Sequence, residues 1–168
     1  MLFYPKFYCD NVRDIKYDFL QENNIKGIIL DVDNTLIDYY RKFEEGTIEW
    51  VNDLKNKGIK FCIVSNSNKT DKVKYVAETL EIPFFSFAKK PFKSGFLKAK
   101  KMMNLEAKNI AAVGDQIMTD VIGSNRCKMF SILVKPIAEK DILITKIKRP
   151  IENKIIDNYL KRIKKEKV

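Results

Sequence analysis

Short runs of apolar residues recur along the chain, and each has the length of a β-strand. Four are clear, GIIL (27–30), KFCIV (60–64), NIAAV (109–113) and FSILV (130–134), and PFFSF (83–87) is a weaker fifth. Polar residues hardly alternate within these runs, which is typical of parallel strands covered on both faces. The pattern therefore predicts a buried parallel sheet.

Segments with apolar residues at helical spacing lie between these runs. Helices are predicted at 47–57, which Gly58 closes, at 70–80, with Thr70 as the N-cap, and at 94–103. Strands and helices that alternate at this period predict an α/β fold with a doubly wound, Rossmann-like parallel sheet. A length of 168 residues fits one such domain, residues 1–168.

The last segment, residues 150–166, is predicted to be a basic amphipathic helix. It opens with Pro150 and has apolar residues at helical spacing, namely Ile151, Ile155, Tyr159 and Ile163. Two roles remain open for it, packing against the domain and contact with an anionic membrane. Aromatic residues near the N-terminus allow the same two interpretations, as a cover for the core or as anchors at a lipid interface.

The net charge of +10 points to an anionic partner, which could be a phosphorylated substrate, nucleic acid or lipid head groups. A basic surface that only keeps the protein in solution explains the charge equally well. No apolar run approaches the ~20 residues needed to cross a bilayer. Since the N-terminus also lacks the pattern of a secretory signal, a cytoplasmic protein is expected, with peripheral membrane contact as an option.

The chain has no histidine, which excludes Ser-His-Asp and Cys-His catalysis and every metal site that needs histidine. Its three cysteines, Cys9, Cys62 and Cys127, are far apart and do not suggest a disulfide framework or a zinc site. Catalysis would therefore have to depend on carboxylates, lysines, hydroxyls or a metal ion with oxygen ligands.

Polar residues follow the predicted strands at the point where each strand ends. Because ligands bind at the carboxyl ends of strands in an open parallel sheet, these side chains are expected along one edge. The candidates are Asp31, Asp33, Thr35, Ser65, Asn66, Lys90, Asp115 and Asp120. Carboxylates suit Mg²⁺, a lysine and a hydroxyl suit phosphoryl oxygens, and a carboxylate nucleophile can form an aspartyl-phosphate.

Each motif also has a simpler explanation when it is taken alone. DVDNTLID is not a calcium loop, because that loop needs glycine at its sixth position and this chain has Leu36 there. Asp120 or Ser65 alone would be a helix cap, and Lys89 or Lys90 alone would be a surface lysine. The occurrence of all four motifs in order, about one strand–helix unit apart, favours catalysis.

The motifs DVDNT (31–35), SNS (65–67), KP (90–91) and GDQIMTD (114–120) resemble those of haloacid dehalogenase (HAD) superfamily phosphatases, subclass IIIA. The resemblance covers roughly residues 25–150 and is strongest to the YqeG-like branch, which also includes phosphatidylglycerophosphate phosphatases of organelles. It implies a Rossmann-like phosphatase core that uses Mg²⁺.

The same resemblance implies roles for the acidic residues. Asp31 would be the nucleophile and a metal ligand, and Asp33 the general acid/base and a ligand through its backbone carbonyl. Asp115 would bind Mg²⁺, while Asp120 and Thr35 would support the metal or its waters from behind these ligands.

The phosphoryl group would be bound by Ser65, with Asn66 beside it, and by Lys90. A cap domain is not expected, because only 29 residues separate Thr35 from Ser65 and 22 separate Ser67 from Lys90. The resemblance associates capless members with open sites and large substrates.

The leading hypothesis is a Mg²⁺-dependent phosphomonoester phosphatase that works through an aspartyl-phosphate, with phosphatidylglycerophosphate as the favoured substrate. The alternatives are a phosphatase for polynucleotides or phosphoproteins, and a non-catalytic nucleic-acid-binding module on the same fold. The sequence does not indicate an oligomeric state.

Overall fold

The computed structural model of the chain describes residues 2–138 and 143–166, and its centre is a six-stranded parallel sheet. The strands are β1 (Phe7–Cys9), β2 (Gly27–Leu30), β3 (Lys60–Val64), β4 (Phe84–Phe85), β5 (Ile110–Gly114) and β6 (Phe130–Val134). Their order across the sheet is β1-β6-β5-β2-β3-β4, and every neighbouring pair is parallel.

Helices connect these strands. They are α1 (Tyr17–Glu22), α2 (Thr47–Asn56), α3 (Thr70–Leu80), α4 (Lys93–Met103), α5 (Ile122–Arg126) and α6 (Leu143–Glu166). Two 3₁₀ turns, Val12–Asp14 and Ala107–Asn109, and a π-helical turn, Ile117–Val121, complete the described elements. The predicted α/β class with a doubly wound parallel sheet is confirmed.

Both faces of the sheet are covered, and the alternation of side chains along β2 shows how. Ile28 and Leu30 lie in one apolar cluster together with residues of α2 and α3. Ile29 points to the other face and lies in a second cluster with residues of α4. Successive side chains of a strand point to opposite faces, so a strand covered on both sides must be apolar throughout.

The strand order places a topological switch between β2 and β5. The chain runs from β2 to β3 and β4 on one side, and then returns to β5 on the other side of β2. Ligand sites in open α/β sheets form at the carboxyl ends of strands at such a point. In the described part of the chain, the segment 31–46 between β2 and α2 contains no further domain, so this edge of the sheet is open.

Several predicted elements need correction. The edge strand β1 was not predicted, the strand expected at 109–113 is shifted by one residue, and the run at 83–87 forms only Phe84–Phe85. Thr70 is the first residue of α3, and the N-cap is Lys69, which makes no side-chain capping hydrogen bond. The final helix was predicted to open at Pro150, but α6 begins at Leu143 and contains Pro150.

Helix α6 packs on the β6 side of the molecule. Ile155 and Ile156 contact a small buried cluster of Ile117, Val121 and Leu133. Tyr159 is buried, and its ring lies 5.9 Å from the ring of Tyr4. The apolar stripe predicted for this helix is only partly correct, because Ile151 is exposed. Among the described helices, none combines the length and apolar content needed to cross a bilayer.

The buried side of α6 also carries a charged residue. Glu152 is buried, and its Oε1 accepts a hydrogen bond of 3.0 Å from the backbone N–H of Met118. This bond ties α6 to the π-helical turn that follows β5. The helix is therefore joined, through one turn of backbone, to the segment that carries Asp120.

Candidate active site

A small cleft of about 70 Å³ opens at the carboxyl edge of the sheet, at the switch between β2 and β5. It is lined by Asp31, Asp33, Ser65, Asn66, Ser67, Lys90, Gln116 and Thr119. A larger cleft of about 510 Å³ lies near the amino ends of β1 and β6, and it holds no acidic residue. Five of the eight predicted site residues therefore line the smaller cleft, and Asp115 lines another cavity of about 40 Å³ that shares Gln116 with it.

Lys90 is the central cation of this cleft. Its side chain is 2% exposed, and its Nζ lies 2.7 Å from Asp31 Oδ1 and 2.6 Å from Asp120 Oδ1. Asn66 holds the backbone of Lys90 on both sides, since its Oδ1 accepts from Lys90 N–H at 2.6 Å and its Nδ2 donates to Lys90 C=O at 3.0 Å. The loop after β3 thus positions the lysine that follows β4.

Three carboxylates surround a common point. Oxygens of Asp31, Asp115 and Asp120 lie within 4.8 Å of one another. Asp31 directly follows β2 and Asp115 directly follows β5, so the adjacent parallel strands bring them together. Thr35 Oγ1 lies at the limit of hydrogen bonding, 3.5 Å from Asp115 Oδ1.

Asp120 comes from the π-helical turn and is held by its own segment. Its Oδ2 accepts from the backbone N–H of Gln116 at 3.2 Å and from Thr119 Oγ1 at 3.3 Å. The carboxyl group lies directly against Gly114, in the space that a Cβ on Gly114 would fill. A glycine at the end of β5 is therefore required for Asp120 to reach Lys90.

Burial and mutual repulsion shift the ionisation of this cluster. Burial, with a smaller contribution from the nearby charge of Asp120, raises the pKa of Asp31 to about 6 against the opposing effect of Lys90. Burial, Asp31 and Asp120 raise the pKa of Asp115 well above its ordinary value. Burial alone would lower the pKa of Lys90, but Asp120 and Asp31 outweigh it and raise that pKa.

The donor set fits a divalent cation. Three carboxylates against the one ammonium of Lys90 leave a net charge of minus two when all four groups are ionised. Hard cations such as Mg²⁺ take oxygen ligands, and a bound cation would offset the burial and the mutual repulsion that raise the pKa values of Asp31 and Asp115. The electrostatics of the cleft thus favour a metal site formed by oxygen atoms.

Asp33 occupies a different position from the other acids. Its carboxylate lines the mouth of the cleft and forms an ion pair with Lys72 on α3. It does not belong to the three-carboxylate cluster, and the role expected for it as a ligand was through its backbone carbonyl. Its side chain is 46% exposed, so it is accessible to an incoming substrate.

Of the other predicted residues, Ser65 is buried at the end of β3 and its Oγ accepts from Ser67 N–H at 3.1 Å. Lys72 was not predicted near the site, and Ser67, Gln116 and Thr119 line the cleft although the sequence analysis gave them no role. Lys72 lies in the first turn of α3, directly after the loop of Ser65, and that proximity to the carboxyl edge was the available signal. Gln116 and Thr119 lie within the GDQIMTD motif itself.

Comparisons with known proteins identify the class of enzyme. The matching family, a phosphatase relative and the fold shared with solved structures together make the chain a HAD-type phosphatase, a hydrolase of phosphoric monoesters. Residues 1–138 match the family model described as mitochondrial PGP phosphatase, and the chain belongs to this family.

A curated relative supports the same assignment. The chain is 41% identical over 161 residues to the probable phosphatase YqeG of Bacillus subtilis (strain 168), which covers 95% of this chain and 92% of that protein. The predicted resemblance to HAD phosphatases of the YqeG-like branch is confirmed.

Solved structures share the fold at low identity. An uncharacterized protein from Listeria monocytogenes serotype 4b has a TM-score of 0.57 and 18% identity, over 70% of this chain and 85% of that one. A HAD phosphatase from Thermococcus onnurineus has a TM-score of 0.52 and 20% identity, over 61% of this chain and 51% of that one.

Proposed function

We propose that the chain is a Mg²⁺-dependent phosphatase that forms an aspartyl-phosphate on Asp31, with phosphatidylglycerophosphate as its substrate. The observation that carries the proposal is the buried cluster in which Lys90 contacts Asp31 and Asp120 while Asp115 lies beside them. Burial of so much charge is costly, and a cluster in which carboxylates outnumber the cation suits electrostatic catalysis better than stability.

The residues of the cleft divide the reaction between them. A carboxylate oxygen of Asp31 attacks phosphorus, and Lys90 balances the negative charge of the nucleophile and of the transferred group. Ser65 and Asn66 bind phosphoryl oxygens. Asp33, at the mouth of the cleft, protonates the leaving alcohol and later takes a proton from the water that cleaves the aspartyl-phosphate.

Asp31, Asp115 and the backbone carbonyl of Asp33 would hold Mg²⁺, with Asp120 and Thr35 supporting them. When bound, Mg²⁺ supplies positive charge that polarises the phosphoryl oxygens. This charge would reduce the repulsion among the carboxylates, and Lys90 would keep Asp31 oriented toward the substrate.

Three features support a lipid as the substrate. The family model carries the description of a mitochondrial PGP phosphatase, and the described cleft is open at the sheet edge rather than enclosed by a second domain. The net charge of +10 suits an anionic bilayer. We place the enzyme in the cytoplasm, in peripheral contact with the membrane surface.

The test is release of inorganic phosphate from phosphatidylglycerophosphate in detergent micelles, compared with a panel of sugar phosphates, nucleotides, 5′-phosphorylated oligonucleotides and phosphopeptides. Asp31→Asn should abolish turnover and leave the fold intact by circular dichroism. Asp115→Ala should shift the Mg²⁺ titration of activity to higher concentration. Full activity of Asp31→Asn would reject the mechanism, and a preference for soluble phosphates would reject the lipid.

Phosphate release from oligonucleotides or phosphopeptides instead of the lipid would favour the polynucleotide or phosphoprotein alternative. Salt-sensitive nucleic-acid binding without any turnover, at every Mg²⁺ concentration, would favour the non-catalytic module.

A further inference from the structure

Two exposed segments lie beside the catalytic cleft. One is Tyr39–Lys42, in the connection after β2, and its Arg41 forms an exposed ion pair with Asp71, next to Lys72 on α3. The other is Phe87–Lys93, which runs from the loop after β4 to the first residue of α4 and includes Lys90. Each contains two exposed aromatic residues and two exposed basic residues, and together they are called the aromatic–basic rim below. The aromatic residues are Tyr39, Tyr40, Phe87 and Phe92, which are 71%, 73%, 57% and 63% exposed.

The first segment is an ordered turn. Asp38 and Lys42 are joined by a backbone hydrogen bond of 3.0 Å, and Asp38 Oδ1 accepts from the N–H groups of Tyr40 and Lys42 at 2.8 and 2.9 Å. The rings of Tyr39 and Tyr40 lie edge to face with their centres 5.5 Å apart. The carboxylate of Asp38 is occupied within the turn, and the two rings are presented at its tip.

The second segment has an aromatic residue, Phe87, at a position whose backbone conformation favours another residue type. Phe87 has φ +50°, in the left-handed region that favours glycine or asparagine. Its ring is nevertheless mostly exposed, so packing within the described structure does not explain the choice. Strain of this kind concentrates at functional sites.

The position of the second segment relates it directly to catalysis. Lys90 lies between Phe87 and Phe92 in the sequence, and its side chain points into the cleft. Residues 86–93 contain no acidic residue, and two of their three lysines, Lys89 and Lys93, are exposed, while Lys90 is buried in its ion pairs. A surface that meets these two rings would therefore also lie next to the catalytic opening and would be attracted by positive charge.

Helix α6 is less suited to a membrane than its sequence suggested. The described apolar residues Ile155, Ile156 and Tyr159 face the protein. Of the apolar side chains described on this helix, Ile151 and Leu160 are the exposed ones. Its strongest apolar stripe is therefore used for packing.

We propose that the aromatic–basic rim is a docking surface for an anionic lipid bilayer. Aromatic side chains lie favourably at the level of the head groups, and nearby lysine and arginine are attracted to anionic lipids. Docked in this way, the rim presents the cleft to phosphate groups at the membrane surface. The catalytic meaning of this inference rests on the proposed function, but docking itself does not require turnover.

Co-sedimentation with vesicles tests the docking. The full-length Asp31→Asn protein in EDTA is mixed with vesicles of phosphatidylcholine and phosphatidylglycerol, or of phosphatidylcholine alone. Binding is expected to the anionic vesicles and should weaken with salt. The double variants Tyr39→Ser/Tyr40→Ser and Phe87→Asn/Phe92→Ser should each weaken it roughly tenfold or more, and Lys89→Glu roughly fivefold or more.

Matched controls carry the same type of change on other surfaces. Phe3→Ser removes an exposed ring from the segment before β1, and Ile151→Ser/Leu160→Ser removes the exposed apolar residues of α6. Both should bind vesicles like the parent protein. Phe87→Asn should melt at the same or a higher temperature, since asparagine tolerates its backbone conformation, so lost binding would not reflect unfolding.

Absence of binding to anionic vesicles, or rim variants that bind like the parent, would overturn the docking surface. Loss of binding in the α6 variant alone would transfer the contact to that helix and also overturn it. Binding through the rim without hydrolysis of any lipid phosphate would keep the docking and reject the proposed substrate. Hydrolysis of the lipid in detergent micelles without vesicle binding would keep the proposed substrate and overturn the docking surface.

Discussion

Lys90 and Lys72 each form an ion pair with an aspartate of the same DVD segment, but the two pairs have very different environments. Lys90 and Asp31 have side chains that are 2% and 10% exposed, whereas those of Lys72 and Asp33 are 13% and 46% exposed. The buried lysine also contacts Asp120, and burial raises the pKa of its other partner, Asp31. The outer pair lies at the mouth of the cleft, where water can screen it.

The comparison distinguishes a buried ion pair, which must stay together, from a partly exposed one, which can separate. A buried charge must stay paired, because an isolated ion in the interior is strongly unfavourable. An ion pair near water contributes little energy and can separate when a substrate arrives. In the proposed mechanism, the inner pair would hold Asp31 in place for attack, and the outer pair would leave Asp33 free to exchange partners during proton transfer.

The largest effect is expected from Lys90→Met, which removes the ammonium and keeps the length of the side chain. Asp31 and Asp120 would then lie buried without their cation. The negative charge of the transition state would also lose a hydrogen-bond donor. In EDTA the variant should be less stable by about 3–5 kcal/mol, and its kcat should fall by about 10²–10³. Denaturant unfolding and steady-state kinetics on a soluble phosphomonoester measure these two effects.

Lys89→Met is the matched control, because Lys89 is the neighbouring lysine and is exposed. Its kcat on the soluble substrate and its stability should stay near those of the parent. Equal effects of the two variants would contradict the argument that the losses come from the buried charge of Lys90.

Removal of Mg²⁺ should make stability depend on pH through the inner cluster. The pKa of Asp31 is raised to about 6 in the folded protein, so the folded state binds more protons than the unfolded state between about pH 4 and 6. Stability in EDTA should therefore fall as pH rises through this window. At a pH above this window, Mg²⁺ at 100 times its Kd should raise the free energy of unfolding by about 2.7 kcal/mol.

Thermal melts at a series of pH values, with Mg²⁺ and with EDTA, measure this difference. The gap between the two melting temperatures should widen as pH rises toward 7, and it should shrink in Asp31→Asn. A gap that is constant from pH 4.5 to pH 7 would contradict the proposed competition between protons and the cation.

A smaller effect is expected from Lys72→Met. Asp33 would lose its partner but remain partly hydrated, so stability should change by less than about 1 kcal/mol. The kcat should fall roughly tenfold, because a misplaced proton donor acts less efficiently. Lys74→Met on the same helix, which removes an exposed pair with Glu78, is the control and should retain full activity.

The smallest effect is expected from Lys57→Ala, which removes an exposed i,i+4 pair with Asp53 at the end of α2. Lys57 Nζ also lies 5.4 Å from the centre of the Tyr17 ring. Because water screens both contacts, the loss of stability by denaturant unfolding should be smaller than that of Lys72→Met, and kcat should not change. A larger loss would show that burial is not what separates the strong pairs from the weak ones.

The sheet and much of the cleft could be predicted because local sequence encodes them. An apolar run such as GIIL indicates a strand covered on both faces, and the rule that ligands bind at strand carboxyl ends places Asp31 and Asp115 together. Neither step needs knowledge of distant contacts. Lys90 was placed by the resemblance of its KP motif rather than by periodicity.

Other features depend on contacts that the local sequence does not show. The edge strand β1 is only three residues long and is defined by pairing with β6, more than 100 residues away in the sequence. The partner of Asp33 depends on how α3 packs, which decides that Lys72 points inward and Lys74 does not. The face of α6 that packs on the domain likewise depends on the surface that the helix contacts.

The contact between Gly114 and Asp120 has a consequence for sequence variation. Any side chain at position 114 would push Asp120 away from Lys90, so a residue without a functional group is constrained by the charge arrangement around it. In a saturation library selected for activity, alanine at position 114 should be depleted as strongly as alanine at position 120. Glycine at position 114 would then be retained as strictly as the aspartate at position 120.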